Sequence, residues 1–397
     1  MKLCFVSNYI NHHQIPFCRE MVRHLGTDFL FIQTMEMELE RKDMGWGLNE
    51  LPDYVKCFYE QPKECQKWID DSDVVLFGGI ADESYISGRL KEKKPVVRVD
   101  ERMYKEGQWK AISPRGLLKK YRDHTSHRKD PVYFLCAGGY VASDLEIIKA
   151  YPGKKLCWGY FPPVKHLDAQ QLLSNKNKEV PQILWAARMI DWKHPELPIY
   201  GAKVLKENHI PFHLIMIGGG ILETWVKEKI REYDLGQEVT LLGYQPPETV
   251  REYMEASDIF LMTGDRREGW GAVANEAMNS CCAVLADVNT GAAPFLIRQG
   301  ENGMLYDTGN RKLFADRLLT LARDGALRQR LGQEAYRTIA ETWNAEYAAS
   351  ALLKVIETTV MKNKPIYASS QKPVFAPGLA APVISERKMK KLLLGKQ

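Results

Sequence analysis

Residues 259–286 read IFLMTGDRREGWGAVANEAMNSCCAVLA, and the alternation of patterns within them indicates the architecture of the chain. Residues 259–263 and 283–286 are short apolar runs typical of buried strands, whereas residues 271–279 carry a helical pattern. A strand, a helix and a second strand in this order predict a βαβ unit, because parallel neighbours need a crossover connection. The segment therefore predicts a parallel sheet covered by helices.

The same alternation extends in both directions along the chain. Helical patterns separate further apolar runs at residues 2–6, 29–33, 74–77, 95–99 and 134–137, and then at residues 182–187, 212–217 and 239–242. The predicted fold class is α/β, with two Rossmann-like domains. Ligands of such open sheets bind outside the carboxyl ends of the strands, so we expect the two domains to face each other across a cleft.

The predicted domain boundaries follow the change from one series of strands to the next. The first domain covers residues 1–163, and a linker at residues 164–180 contains the polar stretch 174–179. The second domain covers residues 181–345. Residues 346–397 are predicted to form a helix that crosses back to the first domain, followed by a tail.

Composition excludes several classes of protein. The chain has 397 residues, of which 45% are hydrophobic and 26% charged, as in ordinary globular proteins. A net charge of +5 is too small to indicate nucleic acid as a partner. The eight cysteines form no C-x-x-C pair and are expected to be buried free thiols. Neither a secretory leader nor a long apolar run is found, so we expect a cytoplasmic protein.

The motif at residues 268–278, EGWGAVANEAM, carries the strongest chemical signal. Gly269 and Gly271 permit a tight turn, and the start of the following helix suits an anion such as phosphate. Glu276 is predicted about a turn and a half inside that helix, roughly 7 Å along its axis from the start. Glu268 and Glu276 would then hold hydroxyl groups of a sugar or ribose on either side of a phosphate. Two ordinary charges at a solvated turn are the alternative.

A second motif, Arg188 to Lys193, follows the first strand of the second domain. Two cations at the carboxyl end of a strand suit a diphosphate. Basic loops alone are common. Their combination with paired carboxylates in one Rossmann-like domain strengthens the interpretation as a ligand site.

These motifs together resemble the retaining glycosyltransferases of family 4, which have the GT-B fold. An Arg and a Lys five residues apart, a glycine-rich turn at residues 218–220, the pattern E-G-[FW]-G-x4-E-A-M and the segment 299–305 occur in order over residues 180–345. The first domain resembles the family less closely, because residues 7–14 lack the usual Gly-Gly pair. That form, with Gly138-Gly139 and residues 158–162, is similar to enzymes that build bacterial capsules, O-antigens and exopolysaccharides.

The resemblance implies a role for each motif residue. Arg188, Lys193 and Glu268 would be catalytic, holding the donor diphosphate and the transferred sugar. The other implied donor contacts are Glu276 at the ribose, Gly269, Trp270, Gly271 and Ala272 near the phosphates, Gly218 and Gly219 in the glycine-rich turn, and Gly243 and Tyr244 at the base. Neither a metal nor another cofactor is implied, because no D-x-D motif of the kind that metal-dependent transferases use lies between the strands and GT-B enzymes use helix dipoles and basic residues instead. In this family the leaving phosphate takes the acceptor proton, so no protein nucleophile is needed.

The implied reaction transfers a hexose or N-acetylhexosamine from a nucleotide diphosphate sugar to a growing, lipid-linked bacterial surface glycan, with retention of configuration. We expect UDP rather than GDP as the carrier. Two alternatives are a nucleotide-sugar epimerase of the same fold and a non-catalytic subunit that binds nucleotide sugars. An epimerase would convert the donor without an acceptor.

Two regions outside the second domain are candidates for contact with a ligand or a membrane, and each has an alternative interpretation. Asn11, His12, His13 and Asp100 are candidates for contact with donor phosphate or acceptor hydroxyls; the alternatives are hydrogen bonding at a helix start and a surface turn. The basic and apolar tail at residues 388–396 suits peripheral contact with the inner face of an anionic membrane, or it is a frayed terminus.

Overall fold

The computed structural model describes residues 1–38, 48, 50–176, 179–367 and 375–395. The chain divides into two compact units. The first unit contains Met1–Pro163 and Trp343–Ser385, and the second contains Val164–Thr342 and Glu386–Gln397. The chain therefore passes from one unit to the other three times.

The first unit is built on a seven-stranded parallel sheet. Its strands are β1 (Leu3–Ser7), β2 (Phe29–Gln33), β3 (Val55–Cys57), β4 (Val74–Gly78), β5 (Val96–Asp100), β6 (Val132–Ala137) and β7 (Lys155–Trp158). They lie in the order β3-β2-β1-β4-β5-β6-β7. The apolar runs are buried on both faces, as expected of strands in a parallel sheet.

The second unit contains a six-stranded parallel sheet. Its strands are β8 (Gln182–Ala186), β9 (His213–Ile217), β10 (Val239–Gly243), β11 (Ile259–Met262), β12 (Ala283–Asp287) and β13 (Met304–Tyr306). The order is β10-β9-β8-β11-β12-β13, so the direction of the strand order reverses between β8 and β11. Such a reversal opens a crevice at the carboxyl ends of the two strands. The predicted α/β class with two parallel sheets is confirmed.

Fifteen α-helices lie within the described residues and cover the two sheets. They are α1 (Ile15–Leu25), α2 (Pro62–Asp71), α3 (Ser87–Lys91), α4 (Pro114–Asp123), α5 (Val141–Ile147), α6 (Ala169–Asn175), α7 (Glu196–Glu207), α8 (Glu223–Glu232), α9 (Pro247–Ala256), α10 (Val273–Asn279), α11 (Ala293–Leu296), α12 (Arg311–Arg323), α13 (Gly325–Glu341), α14 (Ala345–Val355) and α15 (Glu386–Leu394). The last turn of α14 continues as a π-helix over Ile356–Val360. Residues from α7, α12 and α13 close the core of the second unit over Trp185, Met216 and Leu261.

Residues 164–180, predicted as a linker, contain helix α6 within the second unit. The Asp168 carboxylate caps this helix by accepting the backbone N–H of Gln170 and Gln171. Beyond the helix, the buried Lys176 ammonium donates to the carbonyls of Ser257 at 2.6 Å and Ser280 at 2.8 Å. A buried charge that satisfies backbone carbonyls fixes the segment to the second unit.

The tail of the chain forms helix α15, which packs on the second unit. Met389 is fully buried, and Lys390 Nζ donates to Asp307 Oδ2 at 2.9 Å. Glu386 lies 3.5 Å from Arg266. Of the two alternatives for the tail, the frayed terminus does not apply to residues 386–394, because an apolar side chain and two ion pairs hold this helix.

All eight cysteines are free and buried. Burial raises the pKa of the Cys136 and Cys281 thiols to about 12, so neither is a thiolate at neutral pH. The prediction of buried free thiols is confirmed.

Gly332 provides a test of the packing of α13 against the second sheet. A Cβ atom at this position would lie 2.3 Å from the Cys281 carbonyl oxygen, so we expect Gly332→Ala to lower the free energy of unfolding by about 1–2 kcal/mol, the cost of overpacking less the helix propensity of Ala. Urea unfolding measures this. Gly236→Ala is the control, because nothing lies within 4 Å of its added Cβ. Equal stability of the two variants would contradict the packing described.

Candidate functional site

Two loops meet where the strand order of the second sheet reverses. One loop, residues 187–195, follows β8, and the other, residues 263–272, follows β11. The buried Thr263 hydroxyl joins them: it accepts from Trp185 Nε1 at 2.7 Å and donates to the Lys193 carbonyl at 2.5 Å. A backbone bond from Asp265 to the carbonyl of Trp192, 3.0 Å long, adds a second link. The sheet order therefore brings together motifs that lie about 75 residues apart.

The predicted cations occupy the first of these loops. Lys193 Nζ forms an ion pair with Glu268 Oε2, and both side chains are only 14% and 13% exposed. Lys193 Nζ also lies 4.5 Å from the ring centroid of Trp192, and the Arg188 guanidinium carbon lies 5.6 Å from the same centroid. Arg188 is exposed, and no carboxylate of the described residues pairs with it. The indole of Trp192 thus lies beside two cations. The exposed one, Arg188, can bind an anion.

The turn before α10 differs from the prediction in one respect. The helix begins at Val273 rather than at Gly271, because Gly271 has a φ of +90° that no helix accommodates. Glu276 consequently lies in the first helical turn, not a turn and a half inside. A Cβ at Gly271 would approach Met262 Cε to 2.2 Å, which explains the glycine.

The indole of Trp270 anchors this turn from below. Its ring is buried, and its Nε1 donates to Asn275 Oδ1 at 2.9 Å. The Gly269–Ala272 stretch therefore carries an aromatic side chain that faces the core, and only its backbone remains for a ligand.

The loop after β12 supports the same turn. Gly291 N–H donates to the Glu268 carbonyl at 3.1 Å, and Ala292 N–H donates to the Trp270 carbonyl at 3.0 Å. A Cβ at Gly291 would lie 1.7 Å from the Gly269 carbonyl oxygen, so no side chain fits there. The sequence did not reveal Gly291 as part of the site, because this contact joins two segments that are distant in the chain.

Glu276 is half-buried in the first turn of α10. Burial raises the pKa of its carboxyl, and the neighbouring positive charge of Arg251 lowers it by a smaller amount. The Arg251 guanidinium is itself held by the amide oxygen of Asn279. Because the Arg251 guanidinium also binds Asn279, the half-buried Glu276 carboxylate can still accept hydrogen bonds from hydroxyl groups.

The glycine-rich turn after β9 adjoins the loop of residues 187–195. Gly218 has a φ of +120°, and its N–H donates to the carbonyl of Gly243 at 2.7 Å. The Gly219 carbonyl accepts from Met189 N–H at 2.7 Å and from the Tyr244 hydroxyl at 3.0 Å. The structure therefore brings together the predicted residues that follow β8, β9, β10 and β11.

An ionic cluster beside Lys193 was not predicted. His194 has a left-handed backbone with φ of +51°, and its Nδ1 lies 2.7 Å from Glu196 Oε1 while its Nε2 lies 3.5 Å from Asp265 Oδ2. Arg267 pairs with Asp265 at 2.8 Å and with Asp191 at 2.7 Å. The opposite charges within residues 191–196 and 265–268 were the available signal, but only the strand order shows that they meet.

The cluster changes the ionisation of its members. Burial lowers the pKa of His194, but hydrogen bonding and charge from Asp265 and Glu196 outweigh burial and raise it to about 9. Burial acts to raise the pKa of Asp265, and His194 with Arg267 holds it well below its usual range. At neutral pH His194 is therefore an imidazolium that joins the two loops.

The candidates in the first unit lie after β1 and β5. His12 and His13 have ring centroids 3.8 Å apart, and burial together with His12 lowers the pKa of His13 to about 3. Asn11 Oδ1 accepts the N–H of His13 at 3.0 Å, so this side chain serves the start of α1. Asp100 is exposed, and its carboxylate accepts the N–H of Glu101 at 2.7 Å.

Tyr160 is the residue that sequence reasoning missed in the first unit. Its ring stacks with that of His13 at a centroid distance of 6.4 Å, and its hydroxyl donates to Glu101 Oε1 at 2.6 Å. Lys105 Nζ donates to the other oxygen of Glu101 at 2.5 Å. Two histidines, a tyrosine and a paired carboxylate thus form one polar group at the carboxyl ends of β1, β5 and β7.

The described residues have three further properties that bear on function. They contain no group of three or more His, Cys, Asp or Glu side chains placed to hold a metal ion. Their helices include none with the length and apolarity needed to cross a bilayer. A cavity of about 640 Å³ opens at the amino ends of β8 and β9, where Gln182, His213 and Glu252 line it, at the opposite edge of the sheet from the two loops.

The fold resembles that of known glycosyltransferases. The crystal structure of Alr3699/HepE from Anabaena, determined in complex with UDP and glucose, matches with a TM-score of 0.61 over 90% of this chain and all of that chain, at 14% sequence identity. The fold is therefore the GT-B fold of two α/β domains, as the motif resemblance implied.

The sequence of the second unit is similar to that of known glycosyltransferases. Residues 169–338 match the family model described as glycosyl transferases group 1. Amylovoran biosynthesis glycosyltransferase AmsK of Erwinia amylovora is 32% identical over 151 residues, 36% of this chain and 37% of AmsK. Putative colanic acid biosynthesis glycosyltransferase WcaL of Salmonella typhimurium is 24% identical over 183 residues, 45% of each chain. The chain matches less than half the length of either relative.

The His194 cluster predicts a pH dependence of stability. Because the pKa of His194 in the folded chain, about 9, lies above its ordinary value of 6.5, its contribution is complete below pH 6.5 and is lost as the pH rises through 9. We expect His194→Asn to cost at most about 3 kcal/mol of unfolding free energy at pH 6 and much less at pH 10. Denaturant unfolding of both proteins at the two pH values measures the difference.

Asn is the chosen replacement because it tolerates the left-handed backbone of His194 while lacking the charge. His209→Asn is the matched control, since His209 is exposed and also left-handed with φ of +55°. A cost for His194→Asn that is the same at both pH values would show that the imidazolium does not stabilise the loops.

Proposed function

We propose that this chain is a retaining, metal-independent glycosyltransferase that extends a bacterial surface polysaccharide from a nucleotide diphosphate sugar. The observation that carries the proposal is the placement of Arg188 and Lys193 on one loop beside Glu268, at the strand-order reversal of a group 1 domain. Ligands of open α/β sheets bind at this position.

The two cations are the proposed diphosphate site. Arg188 is exposed and already oriented by Trp192, so its planar guanidinium can bind phosphate oxygens with little loss of side-chain freedom. Lys193 is paired with Glu268 in the free chain. A bound diphosphate would share the Lys193 ammonium and release Glu268 oxygens to accept hydroxyl groups of the sugar.

The remaining contacts follow from the same geometry. Glu276 would accept the ribose hydroxyls, and the backbone of Gly269, Gly271 and Ala272 would line the phosphates, because Trp270 is directed into the core. The Gly218 and Gly219 turn and the Gly243–Tyr244 segment would contact the nucleoside, with the exposed Tyr244 ring beside the base.

The proposed reaction breaks the bond between the anomeric carbon and the diphosphate oxygen and forms a bond from that carbon to an acceptor hydroxyl oxygen. The acceptor proton passes to the leaving phosphate, and Arg188 with Lys193 stabilises the negative charge that develops there. No protein nucleophile takes part, which is consistent with retention on the face of the leaving group. His12 and His13, with Asn11 and Asp100, are the proposed contacts for donor phosphate or acceptor hydroxyls.

The donor is proposed to be a UDP-hexose or UDP-N-acetylhexosamine. HepE, which shares the fold, has been crystallised with UDP and glucose, and AmsK and WcaL are named for amylovoran and colanic acid biosynthesis. We further propose that the acceptor is a growing, lipid-linked glycan. The chain would act in the cytoplasm, at the inner face of the membrane.

The first test is thermal stability of the purified chain with UDP, GDP, ADP, TDP and CMP. A nucleotide at 100 times its Kd stabilises the folded chain by about 2.7 kcal/mol, and we expect UDP to raise the melting temperature selectively. Glu276→Ala should abolish this shift, whereas Glu252→Ala, at the opposite edge of the sheet, should retain it. Absence of a shift with all five nucleotides would contradict the proposed donor site.

The second test concerns catalysis by Lys193. We expect Lys193→Ala to reduce kcat/KM on the order of 100-fold, because it removes charge that stabilises the leaving diphosphate. Nucleotide release from the donor, with the acceptor glycan present, measures the rate. Lys227→Ala is the matched control, since Lys227 forms an ion pair with Glu223 at 2.6 Å on the surface of the same unit.

Two outcomes would contradict the reaction. Turnover of Lys193→Ala at the wild-type rate would remove Lys193 from the mechanism. Conversion of the donor sugar in the absence of acceptor, detected by product analysis, would identify an epimerase instead of a transferase.

A further inference from the structure

The first unit exposes an unusual group of large apolar side chains between β5 and β6. Ile112 is 79% exposed, Leu118 71%, Trp109 69% and Tyr121 60%, and Leu117 adds to the same group. They lie on a short 3-10 helix, Gln108–Ile112, and on α4. Single exposed apolar residues are ordinary, but five within 13 positions of the chain form a group of the kind that marks an interaction site.

Basic side chains border this apolar group. Arg115, Lys119 and Arg122 are exposed on α4 at spacings of four and three, so they share one side of the helix. Leu117 and Tyr121, also four apart, lie with Leu118 on the adjoining side. We call these residues, with Trp109 and Ile112, the 109–122 surface.

The opposite side of α4 faces the protein. Asp123 is buried, and its carboxylate pairs with Lys119 at 2.7 Å and Arg122 at 2.8 Å. Lys120 is half-buried, with its ammonium 4.3 Å from the ring centroid of Tyr104. The helix is thus fixed by polar contacts on its inner side, while its apolar side is left outward.

The basic residues indicate which kind of partner the 109–122 surface can bind. No Asp or Glu occurs between Glu106 and Asp123, whereas five Lys and Arg do. A second copy of the chain that placed the same surface against it would bring like charges together, which opposes a symmetric dimer. An anionic partner with an apolar interior satisfies both the basic and the apolar side chains.

We propose that the 109–122 surface binds the chain to an anionic lipid bilayer. Trp, Tyr, Leu and Ile beside Lys and Arg are the side chains that lie at the boundary between head groups and acyl chains. Helix α4 would lie in the plane of the membrane, with Ile112, Leu117 and Leu118 inserted and Arg115 and Arg122 at lipid phosphates. The surface is separate from α15, whose Met389 is buried in the second unit.

The experiment is co-sedimentation of the full chain with phosphatidylcholine vesicles, with and without phosphatidylglycerol, at low and high NaCl. We expect binding only to the vesicles that contain phosphatidylglycerol, weakened by salt. Arg115→Gln/Arg122→Gln should weaken binding at low salt on the order of tenfold, because each basic residue near an anionic surface contributes to the attraction. Ile112→Gln/Leu118→Gln should weaken binding by about tenfold or more at either salt concentration.

Met361→Gln is the matched control, because Met361 is also an exposed apolar residue of the first unit, 47% exposed, and lies outside the surface. It should bind as the wild type does. Lys119 remains to pair with Asp123 in the basic variant, and the melting temperature of each variant reports its folding. The assay needs no turnover, so its result is independent of the proposed glycosyl transfer.

Three results would overturn the proposal. The first is that the wild type does not bind phosphatidylglycerol vesicles. The second is that both double variants bind them as the wild type does. Alternatively, sedimentation velocity would show a dimer that Ile112→Gln/Leu118→Gln dissociates, which would assign the surface to a second copy of the chain.

Discussion

A single hydroxyl group, that of Thr263, fixes the geometry on which the candidate site depends. It accepts a hydrogen bond from the indole of β8 and donates one to the carbonyl of Lys193, so one buried oxygen ties β8, β11 and the basic loop together. This contact exists only because the sheet order makes β8 and β11 neighbours. A methyl group of similar size would leave an indole N–H and a carbonyl unpaired, which is costlier than losing the bond itself.

Ion pairs then hold the loops of residues 187–195 and 263–272 together. Glu268 forms an ion pair with Lys193, and Asp265 forms ion pairs with both His194 and Arg267. Such partly buried pairs avoid isolated charges in the two loops. The proposed diphosphate would enter an environment in which cations are already oriented and partly freed from water, so its binding would replace one set of partners by another rather than assemble a new site.

Sequence patterns predicted ten of the thirteen strands within the described residues, because buried apolar runs are a local signal, and β3, β7 and β13 were not predicted. The ten predicted strands are runs of four to six residues, and the glycines at 218 and 271 mark turns with positive φ angles. Local patterns could not reveal Thr263, Gly291 or the ion pairs of His194, since each depends on a partner brought near by the sheet. The helix start at Val273 and the buried Lys176 within the predicted linker were missed for the same reason.

The placement of the eight thiols has a practical consequence. Each is buried in the core of its own unit, six in the first and Cys281 and Cys282 in the second. A thiol reagent reacts with such groups only after the surrounding structure opens, because burial blocks access and, at thiols such as Cys136 and Cys281, raises the pKa. The native chain thus carries intrinsic reporters of local opening, and mapping the modified cysteines by mass spectrometry would rank the two units by their resistance to unfolding without any introduced label.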